Sequence, residues 1–363
     1  MDNDFSEIVL HRARLAVEYL YESIQLNGRF IYEADLNLKE ILNTYNIVRH
    51  AGCVYVLYQW SNNFKDNNVR DSLDLATRCL KDHLMVIGNG RLGCCVADSH
   101  NVKIGASALT LLMMLERYHY KPLEEDLKII KDLAKFLIWM QEQNGRFISG
   151  MLVHEPYVLM SDFVGIYYPG QAILALIRLY KIDPDPRWIK GACLGIDHLI
   201  KHPVLDSPED PDSLRDHNHW FATALQEYFM LTNDWDIYNE LTLIAEDTIV
   251  SIDKNNENNP ESRLSVAAMA TRGETILAAL NVEIYLKNIK KIDYLKSILC
   301  KVVSYCIELQ VVRHRGFKGF NPRGGFIRNH QHNKVRIDYT QHVLHILIGL
   351  LKIFGQKNTT NLQ

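Results

Sequence analysis

One stretch of the chain, residues 215–229, reads RDHNHWFATALQEYF. Its first half is polar and ionisable, and its second half is apolar and contains small residues. Apolar positions that recur every three or four residues are typical of a helix. A helix with small apolar residues on most of its sides packs closely against several neighbours. The stretch therefore predicts a buried helix that begins at a cluster of ionisable side chains.

Five other segments repeat this plan of a polar cluster followed by a helix rich in Gly, Ala and Leu. They are NIVRHAGCVYVLYQW (46–60), KIGASALTLLMMLERY (103–118), YYPGQAILALIRLY (167–180), ATRGETILAALNVEIY (270–285) and VRIDYTQHVLHILIGLLKIF (335–354). The six segments begin roughly 50 to 65 residues apart, and a period of that length accommodates two helices with their connections. The sequence thus predicts six helical pairs.

The other helix of each pair is predicted to be amphipathic. The clearest case is 123–145, which has a charged face, an apolar face and an Asn-Gly stop signal. Six such pairs can close into a ring, with the small-residue helices inside and the amphipathic helices facing water. We expect an all-α fold with one domain over residues 1–363.

Six helical hairpins with small-residue inner helices resemble the (α/α)6 toroid, or barrel, shared by six-hairpin glycosidases, sugar 2-epimerases and uronate-processing enzymes. The segment 167–180 is similar in outline to an inner helix of the cytosolic sugar 2-epimerases that begins with Pro-Gly. In that family His usually follows Pro-Gly, whereas this chain has Gln171. The resemblance implies a carbohydrate-active enzyme of the glycoside hydrolase or lyase type, with a sugar epimerase or isomerase as the alternative.

The inner helices of a closed hairpin ring all run in the same direction, so their amino ends open on one face. These ends carry unpaired N–H groups and a partial positive charge, which suit hydroxyl-rich or anionic ligands. Ionisable residues of this chain gather at the same ends. The candidate catalytic residues are Asp216, Asp338, Glu274, His217, His219 and His342. The candidate substrate-binding residues are Arg49, His50, Tyr167, Tyr168, Trp220, Arg272, Arg336 and Gln341.

Carbohydrate chemistry explains why these residue types are candidates. Glycosyl hydrolysis needs a protonated acid and a second carboxylate, and epimerisation needs an acid and a base at one carbon. Arginines pair with carboxylate or phosphate oxygens, and aromatic rings stack on sugars. Structural roles stay open beside these: Asp216 and Asp338 could cap their helices, and Arg49 with His50 could join two hairpins.

The segment 311–337 is basic, rich in Gly and Phe, and contains no acidic residue between Arg313 and Ile337. Its glycines and proline favour turns over helix. Basic and aromatic residues also combine in proteins that bind single-stranded nucleic acid, but no nucleic-acid-binding fold surrounds the segment. We expect a loop that covers the mouth of the ring, with a solvated surface loop as the alternative.

The overall charge is nearly balanced, with 40 Lys and Arg against 43 Asp and Glu. This balance provides no general attraction to nucleic acid or to an anionic membrane. The first twenty residues lack the basic region and the apolar run of a signal peptide, and no apolar run reaches the ~18 residues of a membrane span. We expect a cytoplasmic protein whose seven cysteines are reduced thiols.

The expected partner is a small-molecule or oligosaccharide substrate, with no cofactor and no metal. His314, His330 and His332 could form a three-histidine zinc site. However, the chain has no counterpart, near the sixth inner helix, of the Cys and His zinc ligands of lanthionine cyclase-like toroids. The sequence does not indicate an oligomeric state.

Two other functional classes are compatible with a helical ring. A non-catalytic toroid would bind a glycan, a peptide or a protein partner, and its polar residues would be dispersed as caps and salt bridges. An isoprenoid-type cyclase would need an acid-rich motif facing a dry aromatic cavity, and the Asp residues here are too dispersed for that. The enzyme and the binding toroid differ in whether two titratable groups converge in the funnel.

Overall fold

The computed structural model describes residues 2–66, 70–154, 156–202, 218–257 and 264–360. These ranges contain twelve α-helices, in agreement with six helical pairs. The helices are α1 (Asp2–Glu22), α2 (Ile47–Phe64), α3 (Arg70–Asp82), α4 (Ile104–Tyr120), α5 (Glu124–Trp139), α6 (Tyr168–Ile182), α7 (Pro186–Lys201), α8 (His219–Thr232), α9 (Trp235–Glu257), α10 (Val266–Leu286), α11 (Ile289–Glu308) and α12 (Ile337–Thr360).

The even-numbered helices form a closed inner ring. Each of them contacts the next in order, and α12 contacts α2 to complete the circle. The odd-numbered helices pack outside the ring, each against the inner helix that precedes it in the chain, and α1 packs against α12 and α2. The six segments singled out by their small residues are the six inner helices, so the predicted ring is confirmed.

Small residues permit the close approach of the inner helices. At Gly170 in α6, an added Cβ would lie 2.6 Å from the backbone nitrogen of Phe221 in α8. No side chain other than hydrogen fits at that separation. The glycine of the sequence YYPGQ therefore serves helix packing at the amino end of α6.

Short strands, which the all-α prediction missed, occupy the connections that lead from an outer helix to the next inner helix. Within the described residues they are β1 (Glu33–Asp35), β2 (Glu40–Ile41), β3 (Leu84–Val86), β4 (Cys94–Asp98), β5 (Asn101–Lys103), β6 (Gly150–Leu152), β7 (Val158–Leu159), β8 (Ile327–Asn329) and β9 (His332–Arg336). They form two antiparallel sheets, ordered β2-β1-β9-β8 and β3-β4-β5-β6-β7. Both sheets therefore lie near the amino ends of the inner helices.

The Asn-Gly signal after α5 marks a turn rather than the last residues of the helix. The prediction placed helix over 123–145, but α5 ends at Trp139. Gly145 has a φ of +90°, and an added Cβ would lie 2.0 Å from the carbonyl oxygen of Leu194 in α7. This turn therefore packs directly against the backbone of the next outer helix. Gly324 makes the same kind of close contact with the carbonyl oxygen of Leu15 in α1.

Part of the basic segment 311–337 packs against the core. Phe320 and Phe326 belong to the buried core, next to the contact of Gly324 with α1. The second half of the segment forms β8 and β9, and β9 pairs with β1. The segment is thus held against the amino-terminal part of the chain, because α1 and β1 come from the first forty residues.

All seven cysteines lie within the described residues, and no disulfide bond joins any two of them. None of the described helices combines the length and the apolar character that crossing a bilayer requires.

Candidate functional site

A cavity of 570 Å³ opens at the amino ends of the inner helices. This volume lies within the range of about 300–1,000 Å³ that is typical of ligand sites. Nine of the predicted site residues line it: Arg49, Tyr167, Tyr168, His219, Trp220, Arg336, Asp338, Gln341 and His342. They come from the starts of α2, α6, α8 and α12, so one cavity collects groups that are up to 293 positions apart in the sequence.

Glu274 lies beneath this cavity, and imidazoles surround its carboxylate. His342 Nδ1 is 2.9 Å from Oε1, and His219 Nε2 is 3.3 Å from Oε2. A third histidine, His345, places Nδ1 3.4 Å from Oε1. The Glu274 side chain is only 1% exposed, so α8, α10 and α12 hold the four groups together inside the ring.

The charge of Glu274 depends on these neighbours. Burial disfavours the charged form of a carboxyl group, but the imidazoles of His219, His342 and His345 hold the pKa of Glu274 well below its usual value. The side chain is therefore a carboxylate anion at neutral pH. An anion with two acceptor oxygens can orient the rings of His219 and His342 from below.

Asp338, the second predicted carboxylate, joins two arginines of the cavity wall. Its Oδ1 accepts from Arg336 Nε at 2.5 Å and its Oδ2 accepts from Arg336 Nη2 at 2.9 Å. Arg49 Nε lies 3.0 Å from the same Oδ2, and Arg49 also donates to the hydroxyl of Tyr32. Asp338 thus fixes two guanidinium groups that line the cavity.

Aromatic rings pack around His219 at the amino end of α8. The ring centre of His219 lies 5.2 Å from that of Tyr167 and 5.3 Å from that of Trp220. The rings of His219 and His342 are 5.1 Å apart and nearly perpendicular. This arrangement leaves two imidazoles side by side on the cavity wall.

Two predicted binding residues do not line the cavity. His50 is fully buried. Its Nδ1 contacts the hydroxyl of Tyr45, and its Nε2 lies 2.9 Å from the carbonyl oxygen of Ala76. Arg272 donates to Ser251 Oγ at 2.8 Å and to the carbonyl oxygen of Ala268 at 3.0 Å. Successive helical residues point about 100° apart, so Arg49 faces the cavity while its neighbour His50 faces away from it.

Asp216 and His217 lie outside the described residues. They precede Asn218, whose side chain caps α8 by accepting from the backbone nitrogen of Phe221 at 3.2 Å. The N-cap of α8 is thus Asn218.

His345 is a member of the cluster that the sequence analysis missed. It follows His342 by three residues in α12, and residues three apart lie on the same face of a helix. That spacing was available in the sequence as a signal, because the prediction already placed His342 on the inner face.

His219, Glu274 and His342 could also hold a metal ion. Each offers one ligand atom, and these atoms all lie within 4.8 Å of one another. Two imidazoles and a carboxylate are a common donor set for zinc. Among the described residues no other group of three such ligands converges, and this includes the predicted alternative of His314, His330 and His332.

Burial of His50 leads to a prediction about stability. Burial lowers the pKa of His50 to about 4, whereas an unfolded histidine titrates near 6.5. As the pH falls below the unfolded pKa, the unfolded chain gains a proton that the folded chain takes up only near pH 4. We expect this group to remove about 2 kcal/mol from the free energy of unfolding between pH 7 and pH 5.

Urea unfolding at these two pH values checks the expectation. His50→Gln should reduce the pH-dependent loss by that amount, whereas His119→Gln on the surface of α4 should leave it unchanged. An equal pH dependence in wild type and His50→Gln would contradict the neutral, buried state of this ring.

No protein-family model matches the chain, and no curated protein matches its sequence. Its structure, however, is similar to that of cellobiose 2-epimerase from Bacillus thermoamylovorans, with a TM-score of 0.69 at 12% identity, over 97% of this chain and 100% of that one. The chain is an (α/α)6 toroid. The toroid is also similar to a family 76 α-mannanase from Bacteroides thetaiotaomicron, with a TM-score of 0.66 at 9% identity, over 96% and 97% of the two chains.

A third structure similar to the toroid is unsaturated glucuronyl hydrolase from Streptococcus agalactiae, with a TM-score of 0.61 at 11% identity. The match covers 96% of this chain and 91% of that one. The six-hairpin architecture stated as a resemblance in the sequence analysis is therefore confirmed. Identities this low establish the fold, and the chemistry has to be argued from the site itself.

Proposed function

We propose that the chain is an enzyme that transfers protons on a carbohydrate, as an epimerase or isomerase of a sugar with a free carbonyl group. The proposal depends on one observation, which is that His219 and His342 lie next to each other in the cavity. They come from different helices, line the same cavity and contact opposite oxygens of the buried Glu274. Two imidazoles in this position supply the acid and the base of a proton transfer.

The reaction breaks the C–H bond next to the carbonyl carbon of the open-chain sugar. One imidazole takes the proton, and the electron pair forms an enediolate. In an epimerase a proton returns to the opposite face of the same carbon. In an isomerase it goes to the neighbouring carbon, while the hydroxyl proton of the first carbon moves to the former carbonyl oxygen. Nothing is oxidised or reduced overall. Arg49 and Arg336 would stabilise the developing negative oxygen, and Glu274 would position the rings.

A glycoside hydrolase or lyase, which the sequence analysis placed first, is the second candidate. Hydrolysis needs one protonated and one free carboxyl group about 5–9.5 Å apart. Glu274 is ionised among imidazoles and Asp338 is paired with two arginines. Asp216 is the remaining predicted carboxylate, and the solved structures similar to this chain include hydrolases. This candidate therefore depends on Asp216.

Reaction in D2O separates the two candidates. The chain would be incubated with D-glucose, D-mannose and cellobiose, and the protons at C2 would be followed by NMR. We expect deuterium at C2 together with a new epimer or ketose. Release of a new reducing end without deuterium at C2, abolished by Asp216→Asn, would assign hydrolysis instead. Absence of both reactions and of sugar binding would leave the non-catalytic toroid.

We also propose that the basic segment 311–337 borders the substrate entrance, since its residue Arg336 lines the cavity. We also propose a cytoplasmic location, which the lack of a disulfide bond among the seven cysteines supports.

A further inference from the structure

We infer that the substrate is at least a disaccharide, whose second, neutral sugar unit binds in a separate pocket beside the catalytic cavity. This inference rests on the proposed function and specifies its substrate class. The pocket has a volume of 200 Å³ and includes Tyr45, Asp98, Asn101, Lys103 and Phe163. These residues come from the segments that lead into α2, α4 and α6, so the pocket lies on the same face of the ring.

The pocket and the catalytic cavity are adjacent. Asn46 lines both of them. Its Oδ1 accepts from the backbone nitrogens of Val48 at 3.0 Å and Arg49 at 3.3 Å, which fixes the side chain at their boundary. A ligand that extends past Asn46 therefore occupies both spaces.

A second contact joins the two spaces on the side of α6. The ring of Phe163, which lines the pocket, lies 6.3 Å from the ring of Tyr168, which lines the catalytic cavity. The two rings therefore lie next to each other where the two spaces meet. Aromatic rings in this position suit the C–H faces of successive sugar units.

The polar groups of the pocket suit hydroxyl groups. Asp98 offers acceptors, Lys103 offers donors, and the amide of Asn101 offers both. The carboxylate and the ammonium group balance each other in charge. In the catalytic cavity, by contrast, two arginines surround one aspartate. The pocket therefore favours a neutral, hydroxyl-rich unit over a uronate or a phosphate.

Calorimetric titration of the full chain tests the inference, with D-glucose against cellobiose and D-mannose against mannobiose as probes. We expect at least one disaccharide to bind ten-fold or more tightly than its monosaccharide. Asp98→Ala and Phe163→Ala should remove this advantage while leaving the monosaccharide affinity within two-fold. Glu246→Ala, on the exposed surface of α9, is the matched control and should preserve the advantage.

The possible results separate the two proposals. Equal affinity for monosaccharide and disaccharide in the wild type, or an equal loss for both in Asp98→Ala, would overturn the extended substrate while leaving the proposed function intact. Absence of binding by every sugar would overturn both.

Discussion

Replacing Glu274 by glutamine is expected to lower kcat/KM by about 10³-fold, because positioned proton transfer contributes about 10²–10⁴-fold to enzymatic rates. The carboxylate contacts His219 and His342 through different oxygens. A glutamine amide has one acceptor oxygen and presents N–H donors on its other side, so at least one ring loses its partner. Steady-state kinetics on the sugar found to react in D2O measures the effect.

Glu283→Gln is the matched control for this substitution. Glu283 lies in the same helix, α10, and is 3% exposed. It accepts from Tyr238 at 2.8 Å and lies 3.3 Å from Lys291. We expect Glu283→Gln to leave kcat/KM within two-fold, because these contacts are made away from the cavity.

The pH profile of kcat/KM shows whether Glu274 positions the histidines or only stabilises the fold. Loss of the carboxylate should change the pH dependence of kcat/KM, because it removes a buried negative charge that contacts both proposed proton-transfer groups. Glu274→Asp should restore part of the activity. Folded Glu274→Gln protein with wild-type kinetics would contradict the role of this cluster, whereas equal activity losses in both glutamine variants would point to stability alone.

Asp338→Asn is expected to lower kcat/KM by about 10²-fold, since a displacement of about 1 Å in a substrate-positioning group has an effect of that size. The substitution removes the negative charge that lies between Arg49 and Arg336. Each guanidinium group then repels the other and leaves its place on the cavity wall. We expect kcat to fall, because these arginines stabilise the developing negative oxygen, and KM to rise, because they also bind the sugar.

The melting temperature provides the check on this second substitution. It should stay within a few degrees of the wild type, and Asp338→Glu should recover part of the affinity. A large loss of melting temperature with unchanged kcat/KM would show that Asp338 serves the amino end of α12 and not the substrate.

The closed ring could be predicted because inner helices carry a local signal. A helix that packs against neighbours on several sides requires small residues along its length, as at Gly170. These residues all occur within one short stretch of sequence, where they can be recognised. The strands carry no comparable signal. They are two to five residues long, and Glu33 of β1 pairs with Arg336 of β9. Pairing across such a distance depends on ring closure, which no local pattern contains.

The site could be predicted as a region, but not residue by residue. Polar residues at the amino ends of inner helices pointed to the correct face of the ring. The rotation of each helix then decided which neighbours face inward. It brings Glu274 toward the histidines and directs Arg272 to Ser251 of α9. The rotation of α12 about its axis likewise brings His345, which was not predicted, to Glu274. The rotation of a helix is set by packing against its neighbours on both sides, so it is defined only in the assembled ring.

A crystal structure of the chain with a bound sugar tests the central claim most directly. That claim is that the amino ends of the inner helices form one carbohydrate site above Glu274. We predict that the reacting carbon lies within about 3.5 Å of an imidazole nitrogen of His219 or His342, with sugar oxygens on Arg49 or Arg336. Sugar bound away from these four residues, on the outer helices or at the carboxyl ends of the ring, would contradict the account.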